Sequence, residues 1–506
     1  MKPLTIALFL CAPLSAATCE SLSALKLPDT TITMAQPVAA GAFTPAGTLP
    51  SAQMLASRGI PAYKDLPAFC RVALTIKPNK DSDIKVEVWL PSSGWNGKFM
   101  AVGNGGWSGN IVYLSLAQAL ARGYAAASTD TGHEGADASF ALGHPEKLVD
   151  FAYRAVHEMT VKAKSVTSSF FGASPKLSYW NGCSSGGKQG LKEAQRFPGD
   201  FDGVIAGAPA NYWTHLMVGD LWPALATLKD PESYIPKEKY PLIHQAVLEA
   251  CDARDGVKDG VVDNPAGCRF DPGVLQCKGT DSASCLTAKQ IEAARKIYAG
   301  ATNPRTREQI FPGLALGSEL GWGAMAGGPK PFGIPESHFK YIVFKNPDWD
   351  FRTLNFDSDV ALADKIDNGL LNAIEPNLKK FVDRGGKLLL YHGWNDQLIA
   401  PQNTINYYNN VADAMGGADK IQNSIRLFMA PGMNHCSGGD GPFLFDQIAT
   451  IEQWREQGKA PARIVATHLA GTSADRTRPL CAYPAVAKYK GTGSIDQAES
   501  FDCVRP

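Results

Sequence analysis

The chain has 506 residues, 49 Lys+Arg against 49 Asp+Glu, and a hydrophobic share of 44%. That balance excludes a disordered chain. Without a basic excess there is no electrostatic footprint for nucleic acid.

The first element is a leader. Met1-Lys2-Pro3 is followed by a mostly apolar stretch from Leu4 to Leu14 and then by Ser15-Ala16-Ala17. A positive start, a short apolar stretch and small residues make a secretory signal over 1–17, cleaved after Ala17. The stretch is too short to span a bilayer, and no later run reaches about 18 apolar residues. Leu10 and Thr18, standing before Cys11 and Cys19, do not make a lipobox. The expectation is a secreted or periplasmic protein with no membrane partner.

Cysteine usage agrees. Of 11 cysteines, Cys11 leaves with the leader, so an even number remains. In an exported chain that predicts disulfides. Short loops favour Cys251–Cys268, Cys277–Cys285 and Cys481–Cys503. Cys19, Cys70, Cys183 and Cys436 are left over. No Cys-x-x-Cys pair suggests zinc.

Strand-like runs follow at 83–91, 98–102, 124–128, 177–180 and 203–206. Between the third and fourth, Leu148, Phe151, Ala152, Ala155, Met159 and Val161 recur at helical spacing. A second helix is predicted over 186–196. This alternation predicts a mostly parallel sheet with helices on both faces. From 211 to 371 the pattern gives way to loops, Pro, Gly, aromatics and four cysteines. It resumes with strands at 387–391 and 426–430. The chain therefore reads as an α/β core, 18–210 plus 372–506, interrupted by an inserted lid domain, 211–371.

The fourth strand runs into Gly182-Cys183-Ser184-Ser185-Gly186, a Gly-x-Ser-x-Gly elbow between strand and helix. Such a turn exposes the serine hydroxyl at a helix N-terminus. Ser184 has glycines on both sides of the motif. Ser185, the rival nucleophile, has Cys183 two residues back. A serine needs a base oriented by an acid. In the order Ser, acid, His, Asp396 follows one late strand and His435 follows the next. Asp130 and Asp440 are rival acids. His133 also follows a strand but precedes the serine. The oxyanion hole is expected from the N–H of Ser185 and one from the loop Gly103-Asn104-Gly105-Gly106-Trp107, with Gly105 and Gly106 both candidates.

Cys183-Ser184, Asp396 and His435-Cys436 together resemble the tannase and feruloyl esterase family, which includes the bacterial mono(2-hydroxyethyl) terephthalate hydrolase. The stretches Gln195–Val204 and Gly207-Ala208-Pro209-Ala210 are also similar to the family's segment after the nucleophile. The resemblance implies an α/β-hydrolase fold, a lid that carries specificity, and hydrolysis of aromatic carboxylic esters. It also implies a Cys183–Cys436 disulfide. Hydrogen-bond reach between Ser184 and His435 would itself bring these neighbours close enough to bond.

Within the lid, Asp252, Asp255 and Asp259 crowd one short loop with Gly256 and Gly260. Converging carboxylates call for a hard cation, and carboxylate and carbonyl oxygens suit Ca²⁺. The loop is not an EF-hand, since Arg254 and Asp263 fall where a different ligand set is required. The resemblance implies a structural Ca²⁺ held by the side chains of Asp252, Asp255 and Asp259 and the carbonyls of Val257 and Val261.

Lid aromatics (Tyr212, Trp213, Trp222, Trp322, Phe332, Phe339, Tyr341, Phe344, Trp349) offer rings for an aromatic acyl group, although most of them read as core. A small aromatic ester, attached to plant polysaccharide or polyphenol, is the expected partner. Feruloyl esters stand first on family breadth. Galloyl esters and a terephthalate monoester are the alternatives, the last needing a basic group such as Arg295, Arg305, Arg307 or Arg352. A serine peptidase of the same fold and a non-catalytic calcium-dependent binding protein are the rival classes.

Overall fold

The computed structural model describes residues 17–45, 55 and 60–505. Residues 1–16, and with them nearly all of the expected leader and Cys11, lie outside the described residues. Strands β1 (Thr30–Val38), β2 (Phe69–Ile76), β3 (Ile84–Pro91), β4 (Lys98–Val102), β5 (Ala125–Thr129), β6 (Leu177–Cys183) and β7 (Gly203–Gly207) come first. A small hairpin, β8 (Ala301–Thr302) with β9 (Gln309–Phe311), lies in the insertion. β10 (Lys387–Gly393) and β11 (Ile425–Ala430) return to the main sheet. β12 (Arg463–Ala470) with β13 (Ser473–Cys481), and β14 (Val486–Tyr489) with β15 (Phe501–Val504), form two terminal hairpins.

The main sheet has nine strands in the order β1-β2-β3-β5-β4-β6-β7-β10-β11. From β5 to β11 all neighbours are parallel, while β1, β2 and β3 make an antiparallel edge. Its parallel strands are mostly apolar because both faces are covered. In β4, Phe99 and Ala101 pack into one core, and Met100 and Val102 into the other. In β10, Leu388 and Leu390 face the first core, Leu389 and Tyr391 the second. The two-residue side-chain period divides each strand between the layers. Helices Ala155–Phe171, Ser185–Arg196 and Gln402–Ala414 cover one face; Tyr113–Ala121 and Gln447–Gln457 cover the other.

The predicted helix over 148–161 needs one correction. A short helix, Pro145–Val149, passes through a π turn, Asp150–Arg154, before the regular helix begins at Ala155. The extra residue in that turn accompanies a buried Asp150 bound to Arg154 through Nε at 2.5 Å. Apolar spacing alone does not register such an offset.

Between β7 and β10 the chain contributes no strand to the main sheet. It builds its own core around Ile235, Tyr240, Ile243, Ile291 and Trp322. A shared cluster that includes Trp107, Phe151, Trp213 and Phe339 joins it to the sheet domain. The five disulfides are Cys19–Cys70, Cys183–Cys436, Cys251–Cys268, Cys277–Cys285 and Cys481–Cys503. Among the described residues, no helix is long and apolar enough to cross a membrane.

Candidate active site

β4 and β6 are neighbours, yet the chain leaves β4 for β5 on one side and β6 for β7 on the other. In open α/β sheets such a reversal marks the usual ligand position, at the carboxyl ends of the strands. Ser184 follows β6, the Gly103–Trp107 loop follows β4, and Asp396 and His435 follow β10 and β11.

Ser184 sits at φ 64°, ψ −124°, immediately before the helix Ser185–Arg196. A non-glycine residue there is strained, and such strain marks functional turns. Its N–H donates to Gly207 O at 2.9 Å, and its own carbonyl accepts from Lys188 N and Ala210 N. The flanking glycines are steric necessities: a Cβ on Gly182 would lie 2.5 Å from the carbonyl of Gly186. Ser185 is buried, and its hydroxyl donates to Gly106 O at 2.9 Å. Of the two rival serines, Ser185 therefore serves the loop, and Ser184 occupies the elbow.

His435 Nδ1 lies 2.7 Å from Asp396 Oδ2, which leaves Nε2 for a substrate or serine. Asp396 is wholly buried. Its Oδ1 accepts from the N–H groups of Leu398 and Ile399 at 2.8 and 2.9 Å. Its Oδ2 also receives His392 Nε2 at 3.0 Å. Burial pushes the Asp396 carboxyl up, but the charge of His435 and the hydrogen bonds from His392 and His435 outweigh it. The carboxyl is held well below the usual range. His392 is fixed in turn: Nδ1 faces Thr404 Oγ1 at 2.7 Å, and Nε2 also reaches Ile399 O at 3.0 Å. That network assigns the proton to Nε2. His392 was passed over in the sequence although it stands four residues before the acid; the signal was a second imidazole at the same strand end.

Ser184 Oγ makes no hydrogen bond among the described residues, so the serine–histidine link is the one contact of the trio not closed. Such bonds are often long without substrate. The Cys183–Cys436 disulfide, with Cα atoms 6.0 Å apart, ties the serine and histidine loops together next to both residues.

The rivals are occupied elsewhere. Asp130 accepts from Lys85 N and Gly132 N, and burial pushes it up to about 7. His133 Nε2 reaches Trp107 O at 2.7 Å and so braces the glycine loop. Asp440 is exposed. In that loop, Asn104 Nδ2 donates to Asn110 O and Thr129 O, and Asn104 N donates to Gln189 Oε1. Gly106 has φ 51°, and a Cβ there would meet Ile334 at 2.8 Å.

In the acidic loop, Asp252 accepts from Asp259 N and Gly260 N, Asp255 from Val257 N, and Asp259 from Val261 N. Arg478 and Arg476, both on β13, pair with Asp259. Asp263 is buried with Oδ2 unpartnered, and burial together with Asp255 and Asp259 pushes it far up. Asp255 is also raised, chiefly by burial. The carbonyls of Val257 and Val261 accept no hydrogen bond among the described residues. The Asp252, Asp255 and Asp259 carboxylates do not converge to within 4.8 Å of one another, while the oxygen donors of the loop are of the hard kind that Ca²⁺ takes.

The profile of the family described as tannase and feruloyl esterase matches residues 70–504. The chain belongs to that family. This esterase is 40% identical to an uncharacterised esterase of Xanthomonas campestris, over 97% of this chain and 92% of that one. It is 33% identical to a probable feruloyl esterase B-1 of Aspergillus oryzae, over 86% of this chain and 84% of the relative. The solved structure of feruloyl esterase B from Aspergillus oryzae superposes with a TM-score of 0.88 at 31% identity, covering 96% of this esterase and 99% of that chain. The fold is that of an α/β-hydrolase, and the chain is a carboxylic ester hydrolase.

Proposed function

We propose that this esterase is an exported serine hydrolase of aromatic carboxylic esters, feruloyl (hydroxycinnamoyl) esters first, acting through an acyl-enzyme on Ser184. The observation that carries the reading is the buried Asp396–His435 hydrogen bond set beside a strained Ser184, with the Cys183–Cys436 bond holding the two loops. His435 Nε2 takes the Ser184 proton as Oγ attacks the ester carbonyl. The N–H of Ser185, with that of Gly105 or Gly106, receives the oxyanion. Collapse returns the proton from His435 to the departing alcohol. Water, activated by the same imidazole, then releases the acid.

The relatives' printed names support the feruloyl preference. Three of the four candidate arginines speak against an acyl group bearing a free carboxylate; the fourth, Arg307, is exposed. Arg295, Arg305 and Arg352 are engaged with Asp271, Asp357 and Asp350 at the surface. Four of the lid aromatics, Trp213, Trp322, Phe339 and Trp349, are buried as core. Residues 211–371 are proposed as the lid, and 18–210 with 372–506 as the catalytic domain. A calcium ion on Asp252, Asp255 and Asp259 and the Val257 and Val261 carbonyls would neutralise the acidic loop and stiffen that lid. Five disulfides support an oxidising compartment.

The test is kcat/KM for methyl ferulate, methyl gallate, chlorogenic acid and a terephthalate monoester. The proposal predicts the hydroxycinnamoyl esters to lead. A lead by methyl gallate or by the terephthalate monoester would overturn the substrate assignment.

A further inference from the structure

One turn below Ser184, on the helix Ser185–Arg196, Lys188 is fully buried and its Nζ has no hydrogen-bond partner. The ammonium lies 4.2 Å from the Trp213 ring centre and 4.6 Å from that of Phe151. Both rings pack on Trp107, the residue that ends the Gly103–Trp107 loop, at 4.7 Å for Phe151 and 4.8 Å for Trp213. His338 stacks on Trp107 from the insertion, and neither of its ring nitrogens has a partner. Trp213 Nε1 is likewise unpartnered. A cation stands in this aromatic chamber, one turn from the elbow and against the rings that pack on the glycine loop, with no carboxylate bonded to it among the described residues.

An unpaired buried charge is costly, and cation–π contact offsets only part of that cost. A methionine of similar length would pack there without the desolvation penalty. Costs of this kind are retained at functional sites at the expense of stability. The backbone N–H of Lys188 bonds the Ser184 carbonyl, so the residue that carries the charge is rooted in the first turn of the helix whose free N–H end faces the developing oxyanion.

We infer that Lys188 is a positioning residue for the hydrolytic reaction: its buried charge strengthens the field at the Ser184 elbow, and its cage holds the oxyanion loop through Trp107. This inference rests on the serine mechanism proposed above. At an effective dielectric of about 20, a unit charge about 10 Å from a developing charge is worth about tenfold in rate. Burial, followed by repulsion from Lys192, lowers the Lys188 ammonium to about 7, against a smaller opposing pull from Asp367. Lys192 is on the same helix and is lowered to about 8, first by burial. His338, on the insertion side, is lowered to about 3 by burial and by Lys188 and so stays neutral. On the Phe151 side, Asp150 is paired with Arg154. The charge is present below the depressed value and lost as pH rises through it.

The experiment compares wild type, Lys188→Met, Lys188→Arg and Ser184→Ala on 4-nitrophenyl acetate, a probe that does not depend on the acyl preference. Lys188→Met should lower kcat about tenfold with little change in KM, while Tm stays level or rises. Lys188→Arg should restore kcat. A decline of wild-type kcat above neutral pH should be absent from both Lys188 variants. Full kcat in Lys188→Met, or loss of kcat together with a lower Tm and a raised KM, overturns the inference. If Ser184→Ala kept its activity, the underlying reading of the site would fail instead, which is a separate outcome.

Discussion

At the scale of single residues, the site is a chain of hydrogen bonds that ends on one carboxylate. Asp396 accepts from two backbone N–H groups and two imidazoles, so its orientation is over-determined. His392 is the member with no direct reach to substrate. Replacing it with phenylalanine keeps the ring but removes the donor; glutamine keeps a donor at similar reach. His392→Phe should lower kcat by about one to two orders of magnitude with KM little changed, and His392→Gln should recover part of it. Equal kcat in wild type and His392→Phe would show that the second imidazole does not position the acid. Asp396 also has a defined pH sign. Its carboxyl is held below the usual range, so its contribution to stability is complete above that range and fades as pH falls through the depressed value. A mildly acidic loss of activity therefore does not arise from Asp396, which stays ionised throughout it.

At the scale of elements, a disulfide and an acidic loop bear on the geometry. Cys183–Cys436 joins the loops after β6 and β11, and the loop it closes is long. Chain entropy would credit such a bond with about 5 kcal/mol at most. Its kinetic role is larger, because an error of about 1 Å between serine and histidine costs about 10²-fold in rate. Cys183→Ala with Cys436→Ala should depress kcat far more than it alters KM. A double variant with wild-type kcat would show that the loops keep register without the bond. The acidic loop is the second device. Asp255 and Asp263 are both raised, chiefly by burial, with Asp259 adding to each and Asp255 adding to Asp263, so without a cation their ionisation works against the fold. Stability of chelated protein should fall as pH rises from the ordinary carboxylate range through the raised values, and calcium should abolish that slope. Melting curves that ignore chelator and calcium at every pH would exclude the ion.

The same elements show how far the sequence could be read. β4 to β7, β10 and β11 announce themselves as apolar runs because both faces of a parallel sheet are buried, and β3 by the alternation of Ile84, Val86 and Val88 with polar residues. β1 does not: its burial is partial throughout, and Thr, Gln and Pro sit on an exposed edge. β12 and β13, largely exposed at their turn, carry no alternation strong enough to mark them. Ser184, Asp396 and His435 were legible because each follows such a buried run. Lys188 and His392 were not, since their importance lies in what surrounds them in space: Trp213 and Phe151 for one, Thr404 and Asp396 for the other.

At the scale of the whole molecule, the insertion and the sheet domain share one cluster, and that cluster includes Trp107 at the end of the oxyanion loop. Trp107 Nε1 donates to Ile334 O at 3.1 Å, so the insertion holds the loop directly. Loosening this seam should disturb catalysis without touching the trio. Trp107→Leu is expected to reduce kcat by about tenfold or more through the misplaced loop, while phosphonate labelling of Ser184 slows in parallel. Labelling at the wild-type rate would place the defect elsewhere.

The central claim is that ester cleavage passes through a covalent bond on Ser184. The most direct measurement is mass spectrometry of the protein quenched during turnover of a slow aryl ester, followed by peptide mapping. The account predicts a single acyl adduct on the peptide containing Ser184, assigned to that residue by fragmentation and absent from Ser184→Ala. An adduct on Ser185, or full turnover by Ser184→Ala, would contradict it.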